Sequence, residues 1–87
     1  MIKLWGDEAW EDYINWQSQD PKTLKRINKL LKDIERNGYN GIGKPEALKG
    51  DLNGFWSVKI DDKNRIVFCI KDGKLEIWQC GSHYRDK

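Results

Sequence analysis

FWSVKIDDKNRIVFCIKDGKLEIWQC, residues 55–80, alternates apolar and polar side chains in three successive runs. Phe55 to Ile60, Arg65 to Ile70 and Leu75 to Cys80 show the period of two that strands have, separated by the polar stretch Asp61 to Asn64 and by Asp72-Gly73. An antiparallel three-stranded meander is expected. A two-residue turn at Asp72-Gly73 pairs Ile70 with Leu75 and Phe68 with Ile77, so Ile66, Phe68, Ile70, Leu75 and Ile77 share the face that covers a core. Arg65, Val67, Cys69, Glu76, Trp78 and Cys80 fall on the other side, with too much charge for a core, and read as the working face. Burying Trp56, Val58 and Ile60 with Ile66 requires an odd-length, bulged connection, and this sets Lys59 beside Arg65. Two such cations suit a phosphate.

Towards the N-terminus, Asp20-Pro21 is a helix start and Asn37-Gly38 a left-handed stop, so a helix is expected from Pro21 to Asn37. Leu24, Ile27, Leu31 and Ile34 form its apolar stripe, with Leu30 beside it. Lys22, Lys25, Lys29, Lys32 and Arg36 form a basic stripe opposite, which either faces water or docks on structured RNA through phosphates. Before it, Asp7 is a candidate cap for a helix of about three turns, with Trp10, Tyr13, Ile14 and Gln17 on one side. The two helices are expected to pair as a hairpin. Met1 to Trp5 reads as a short edge or end strand in which Ile2 and Leu4 alternate with Lys3 and Trp5.

The stretch from Gly38 to Gly54 carries five glycines and Pro45, which argues for an ordered functional loop without regular structure. The chain is therefore read as one α+β domain, residues 1–87: an N-terminal strand, a two-helix hairpin, then the meander, with the helices on one face of a twisted sheet. At 87 residues and 38% hydrophobic it has room for one modest core, which five Trp help to fill. The net charge of +2 says little, so any affinity for nucleic acid must come from where the charges sit. No signal peptide or membrane-spanning run is present, and a soluble cytoplasmic protein is expected. Cys69 and Cys80 lack metal-site spacing and, placed on one face about 13 Å apart, are expected as free thiols. Neither a metal nor another cofactor is expected.

Three residues could carry chemistry. Glu46, on a loop stiffened by Pro45 between Lys44 and Lys49, is either an ordinary surface acid or a carboxylate that takes the 2′-hydroxyl proton of RNA. Arg65 could stabilise the charge that grows on the phosphorane, with Lys44, Lys49 and Lys59 holding phosphates. His83, the single histidine, could protonate a leaving 5′ oxygen, although strict alternation from Trp78 sends Tyr84 to the working face unless Gly81 bends or bulges the strand. Base, cation and acid suffice for internal transesterification of RNA, and none of the steps calls for a metal.

The opening IKLWGDEAWEDYINW, the helix KRINKLLKDIERN, the loop GIGKPEALKGDLNGFWS, the strand KNRIVF and the terminal HY together resemble the YoeB/Txe toxins of bacterial toxin-antitoxin pairs, within the RelE-like fold. The resemblance runs nearly end to end. It implies an endoribonuclease that enters the A site of the 70S ribosome, cleaves the messenger RNA there to leave a cyclic phosphate, and is silenced by an antitoxin. It further implies Glu46 as general base, Arg65 as phosphate-stabilising cation, His83 as general acid, Tyr84 as a substrate-positioning residue and Lys49 as a supporting cation. A homodimer is also implied, and the cognate antitoxin is expected to be acidic and partly disordered until bound. Three features depart from the family pattern: Val58-Lys59 stands where two arginines are usual, Arg85 to Lys87 extend past the His-Tyr pair as an extension or a cloning scar, and CGS before His83 is less basic. Competing readings are a ParE-like gyrase inhibitor and a non-catalytic RNA-binding module that works through its basic helix.

Overall fold

The second helix forms where its end signals place it. Asp20 Oδ1 accepts hydrogen bonds from the backbone N–H groups of Lys22 (3.2 Å) and Thr23 (3.3 Å), and Thr23 Oγ1 donates to Asp20 Oδ2 at 2.8 Å. These bonds, the Thr23 hydroxyl first, hold the Asp20 carboxyl below its ordinary range. The helix spans Pro21–Asn37 and ends at Gly38, whose φ of 60° is the left-handed conformation that glycine adopts without a Cβ clash. Ile27, Leu31 and Ile34 are buried on its inner side.

The computed structural model describes residues 1–82. Its elements are β1 (Ile2–Trp5), α1 (Asp7–Gln19), α2 (Pro21–Asn37), β2 (Glu46–Ala47), β3 (Trp56–Lys59), β4 (Arg65–Lys71) and β5 (Lys74–Gly81), with short 3-10 turns at Gly38–Asn40 and Gly50–Leu52. The strands form one sheet in the order β1-β5-β4-β3-β2. The expected meander is its centre, antiparallel from β3 through β5. Two additions correct the sequence reading. β1 lies parallel to β5, and the glycine-rich loop contains β2, paired antiparallel to β3 through Glu46 with Ser57 and Ala47 with Trp56. The sheet is thus five-stranded and mixed.

Both helices cover one face of the sheet. Ala9 from α1 and Ile27, Leu31 and Ile34 from α2 meet Val58, Ile60, Ile66, Phe68, Leu75, Ile77 and Cys80 in a single core. Each large side chain fully buried there contributes about 1.5–3 kcal/mol relative to exposure. On α1 the inward side is Ala9, Tyr13 and Trp16, whereas Trp10 and Ile14 are exposed, contrary to the expected stripe. The cap also differs: Gly6 precedes the helix, and Asp7 is its first residue, suited to the positive end of the dipole. On β1, pairing with β5 sets Lys3 against Leu75 on the helix side, where Lys3 forms an ion pair with Glu35 of α2. Ile2 and Leu4 consequently point away from the helices and are exposed.

The register of β4 and β5 holds one further correction. Ile70 pairs with Leu75 and Phe68 with Ile77 as read from the turn, but Val67 then pairs with Gln79, Ile66 with Cys80 and Arg65 with Gly81. Trp78 is the extra residue of a β-bulge. Past it the phase of β5 reverses, so Cys80 enters the core opposite Ile66 while Cys69 stays on the other face beside Glu76. The cysteines are therefore on opposite faces, though both are free thiols as expected. Burial, helped by the charge of Asp12, pushes the Cys80 thiol up to about 12. Among the described residues, no helix is long and apolar enough to cross a membrane.

Candidate active site

Two local devices build the open face of the sheet. The first is the turn between β3 and β4. Asp61 Oδ1 accepts hydrogen bonds from the N–H groups of Lys63 (2.9 Å) and Asn64 (2.8 Å) and from Asn64 Nδ2 (3.0 Å), and Ile60 N–H donates to Asn64 O at 2.9 Å. Burial pushes the Asp61 carboxyl up, but these bonds and the charge of Arg26 outweigh it and leave the group below its ordinary range. Arg26 Nη1 also donates to Ile60 O at 2.8 Å, tying the turn to α2. The five-residue connection leaves Lys59 directly opposite Arg65, as the odd-length reading requires.

The second device holds Glu46. Tyr39 stacks on Trp56 with ring centroids 4.2 Å apart, and its hydroxyl accepts the Ile70 N–H at 2.8 Å, which seats the start of the loop on the core. Further on, Lys44 takes a left-handed φ of 54°, a conformation that costs a non-glycine residue about 1–2 kcal/mol. Pro45 follows, and Glu46 then pairs with Ser57, with Leu48 N–H donating to Phe55 O at 2.9 Å. Because Ala47 lies opposite core-side Trp56, Glu46 projects to the open face.

Glu46, Ser57, Val67 and Gln79 therefore form one row across that face, and Lys59, Arg65 and Gly81 the next. Between the rows lies a cavity of about 300 Å³ lined by Gly43, Lys44, Glu46, Ser57, Lys59 and Arg65. One carboxylate shares it with three cations. Such a set can hold a phosphate group and accept a proton beside it. Ser57, 2% exposed, was missed by the sequence reading, although its place two residues before Lys59 is a signal for it.

Other candidates stand apart. Lys49 is exposed just beyond β2 and does not line the cavity. Lys22, Lys25, Lys29, Lys32 and Arg36 are all exposed on the outer side of α2, across the sheet from the cavity. His83 and Tyr84 lie outside the described residues, as do Arg85 to Lys87. Up to that boundary the end of β5 is firmly held, with Trp16 Nε1 donating to Cys80 O at 2.8 Å. No group of three or more His, Cys, Asp or Glu side chains among the described residues could hold a metal ion.

Two helices on one face of a mixed five-stranded sheet place the chain in a class of small bacterial toxins of the same fold. Solved examples include a heterotetrameric YoeB-YefM toxin-antitoxin complex from Staphylococcus aureus, with a TM-score of 0.90 and 42% identity over 97% of this chain and 98% of that one. A YoeB dimer from the same organism has a TM-score of 0.87 at 42% identity, with the same coverage. A relative from Escherichia coli K12, Toxin YoeB, is 44% identical over 84 residues, covering 97% of this chain and 100% of its own length. The chain belongs to the YoeB-like toxins of bacterial type II toxin-antitoxin systems, whose family model matches residues 5–84.

Proposed function

We propose that this toxin is a metal-independent endoribonuclease that cuts messenger RNA in the ribosomal A site and so halts translation. The observation that carries the reading is the shared cavity, in which Glu46 faces Lys44, Lys59 and Arg65. Glu46 takes the proton of the 2′-hydroxyl, the freed oxygen attacks phosphorus, and the bond to the 5′ oxygen breaks as His83 protonates that oxygen. The products are a 2′,3′-cyclic phosphate and a 5′-hydroxyl end. Arg65 bears most of the charge that grows on the phosphorane, and Lys59 adds a point charge where a planar fork would bind in two places. Lys44 and Lys49 hold neighbouring phosphates, and Tyr84 positions the substrate.

Gln79 and Gly81, the last paired residues of β5 on the open side, share the face of Arg65, which supports a reaction carried out at this end of the sheet. In this reading Lys22, Lys25, Lys29, Lys32 and Arg36 dock on ribosomal RNA through phosphates alone. The partner that silences the toxin is an acidic antitoxin, ordered on binding, and the toxin pairs with a second copy of itself in the cytoplasm. The YoeB-YefM complex and the YoeB dimer among its relatives support both partnerships.

Translation of a defined messenger in a reconstituted system tests the proposal. Wild-type protein is expected to leave cyclic-phosphate ends at A-site codons, and His83→Gln to slow cutting by about 100-fold or more. Intact messenger accompanied by gyrase-linked DNA breaks would instead make this a gyrase inhibitor.

A further inference from the structure

A second cavity lies on the open face beside the first. It has a volume of about 170 Å³ and is lined by Leu52, Phe55, Val67, Trp78 and Gln79. Strand phase joins the two cavities: Arg65 borders one and Val67, two residues along β4, the other, while Ser57 borders the first and Phe55, two residues back, the second. Residues spaced by two along a strand are about 7 Å apart. That step is comparable with the reach from a nucleotide's phosphate to its own base.

Trp78 owes its position to the bulge, and bulges beside active sites commonly re-aim a side chain. Two contacts then fix the indole. Its Nε1 donates to Glu76 Oε1 at 3.2 Å, and the ring packs so closely on Gly6 that a Cβ there would lie 2.5 Å from Cε3. Trp78 is nonetheless 45% exposed, so a large aromatic surface is offered to solvent in one orientation. Gln79, the one polar side chain of the lining, is 3% exposed and donates its Nε2 to Gly81 O at 3.1 Å.

We propose that this cavity receives the nucleobase attached to the phosphate held at Lys59 and Arg65, stacked against Trp78 and Phe55. The inference rests on the ribonuclease reading of the neighbouring cavity and adds a base subsite to it. Every base has a face to stack, and the Gln79 amide is already engaged with the backbone, so the site takes any base and favours purines through their larger area. Holding the base out of its stack also serves the chemistry. Attack by the 2′ oxygen requires it to lie in line with phosphorus and the leaving 5′ oxygen, an alignment that stacked RNA lacks and an anchored base can supply. An apolar segment of a protein partner would fill the same space with no need of the adjoining cations.

Amide chemical shifts of the full chain, followed during titration with adenosine 3′-monophosphate, ribose 3-phosphate and inorganic phosphate, decide the matter. All three probes are expected to move Lys59 and Arg65, and only the nucleotide to move Val67 and Gln79, with affinity at least about fivefold above that of ribose 3-phosphate. Trp78→Ala should abolish that advantage and leave phosphate binding unchanged, while Trp78→Phe should keep most of it. Equal affinity for the nucleotide and the sugar phosphate in wild-type protein would overturn the base subsite and leave the phosphate site standing, as a cavity reserved for a protein side chain would produce. No response at Lys59 and Arg65 to any probe would overturn the underlying reading as well. Should Trp78→Ala fail to fold, the comparison of the two sugar phosphates on wild-type protein and on Trp78→Phe still gives the answer.

Discussion

The two faces of the sheet are made from the same strands yet obey different rules. On the helix side, β3, β4 and β5 present only apolar groups, which are closed over by α1 and α2 so that Phe68, Ile66, Leu75 and Ile77 have no exposed surface. On the open side, successive residues of those strands present Lys59, Arg65, Glu76 and Trp78, and the cover is partial, a short loop bringing Glu46, Leu52 and Phe55. One side spends its residues on stability, and the other leaves charge and aromatic surface accessible. A substitution should therefore damage either folding or chemistry according to the face on which its side chain lies.

The widest separation is expected between Phe68 and Arg65, three positions apart on β4. Phe68→Ala should lose about 3–5 kcal/mol in urea denaturation, which is a large share of the stability of a domain this small. Arg65→Ala should stay within about 0.5 kcal/mol of wild type while messenger cleavage falls by about 100-fold or more. Comparable unfolding of the two variants would break the division between the faces.

Trp16 probes the contact of α1 with the end of β5. Trp16→Phe keeps a ring in place but leaves Cys80 O without its donor, at an expected cost of about 1–2 kcal/mol in the same denaturation. A smaller effect belongs to the helix cap, where Asp20→Ala should cost about 1 kcal/mol.

The carboxyls of Asp20, Glu35 and Asp61 all sit below their ordinary values in the folded chain. In the acid range the unfolded chain then binds more protons than the folded one. Their stabilisation is thus fully present above the ordinary carboxylate pKa of about 4 and is lost as pH falls from there through the lower folded values. Melting temperature measured from pH 6 to pH 3 should drop, and Asp61→Asn should flatten part of that slope. The smallest signal is chemical. Cys80, buried and titrating near 12, should resist alkylation in the native state at pH 8, whereas Cys69, half-buried and pushed up by burial and by Glu76, should react first though slowly. Equal labelling of the two would contradict their placement on opposite faces.

Much of the helix side was legible in the sequence because its signals are local. Asp20-Pro21 and Asn37-Gly38 mark the ends of α2 through hydrogen bonds that adjacent residues make, and Asp72-Gly73 sets the register of Ile70 with Leu75. The features that were missed depend on distant partners. A strand of two residues, Glu46–Ala47, has no period to detect, and its place is set by β3. Ile2, Leu4 and Trp5 are apolar on both sides of β1, so pairing with β5, and not alternation, decides which of them face the helices. The bulge at Trp78 interrupts a run that alternates without a break in sequence, so Cys80, read from alternation as facing outward, lies on the core side instead. Of the candidate site, the opposition of Lys59 and Arg65 followed from parity alone. The arrival of Glu46 beside them needed the resemblance and the loop geometry that Tyr39 and Pro45 impose.

The central claim is that the open face carries out a reaction for which its fold is already set, and Glu46→Gln tests it most directly. Messenger cleavage by this variant in a translating system, measured beside its thermal melting, should fall by about 100-fold or more with a melting temperature within a degree or two of wild type. Undiminished cleavage by a folded Glu46→Gln protein would contradict the account.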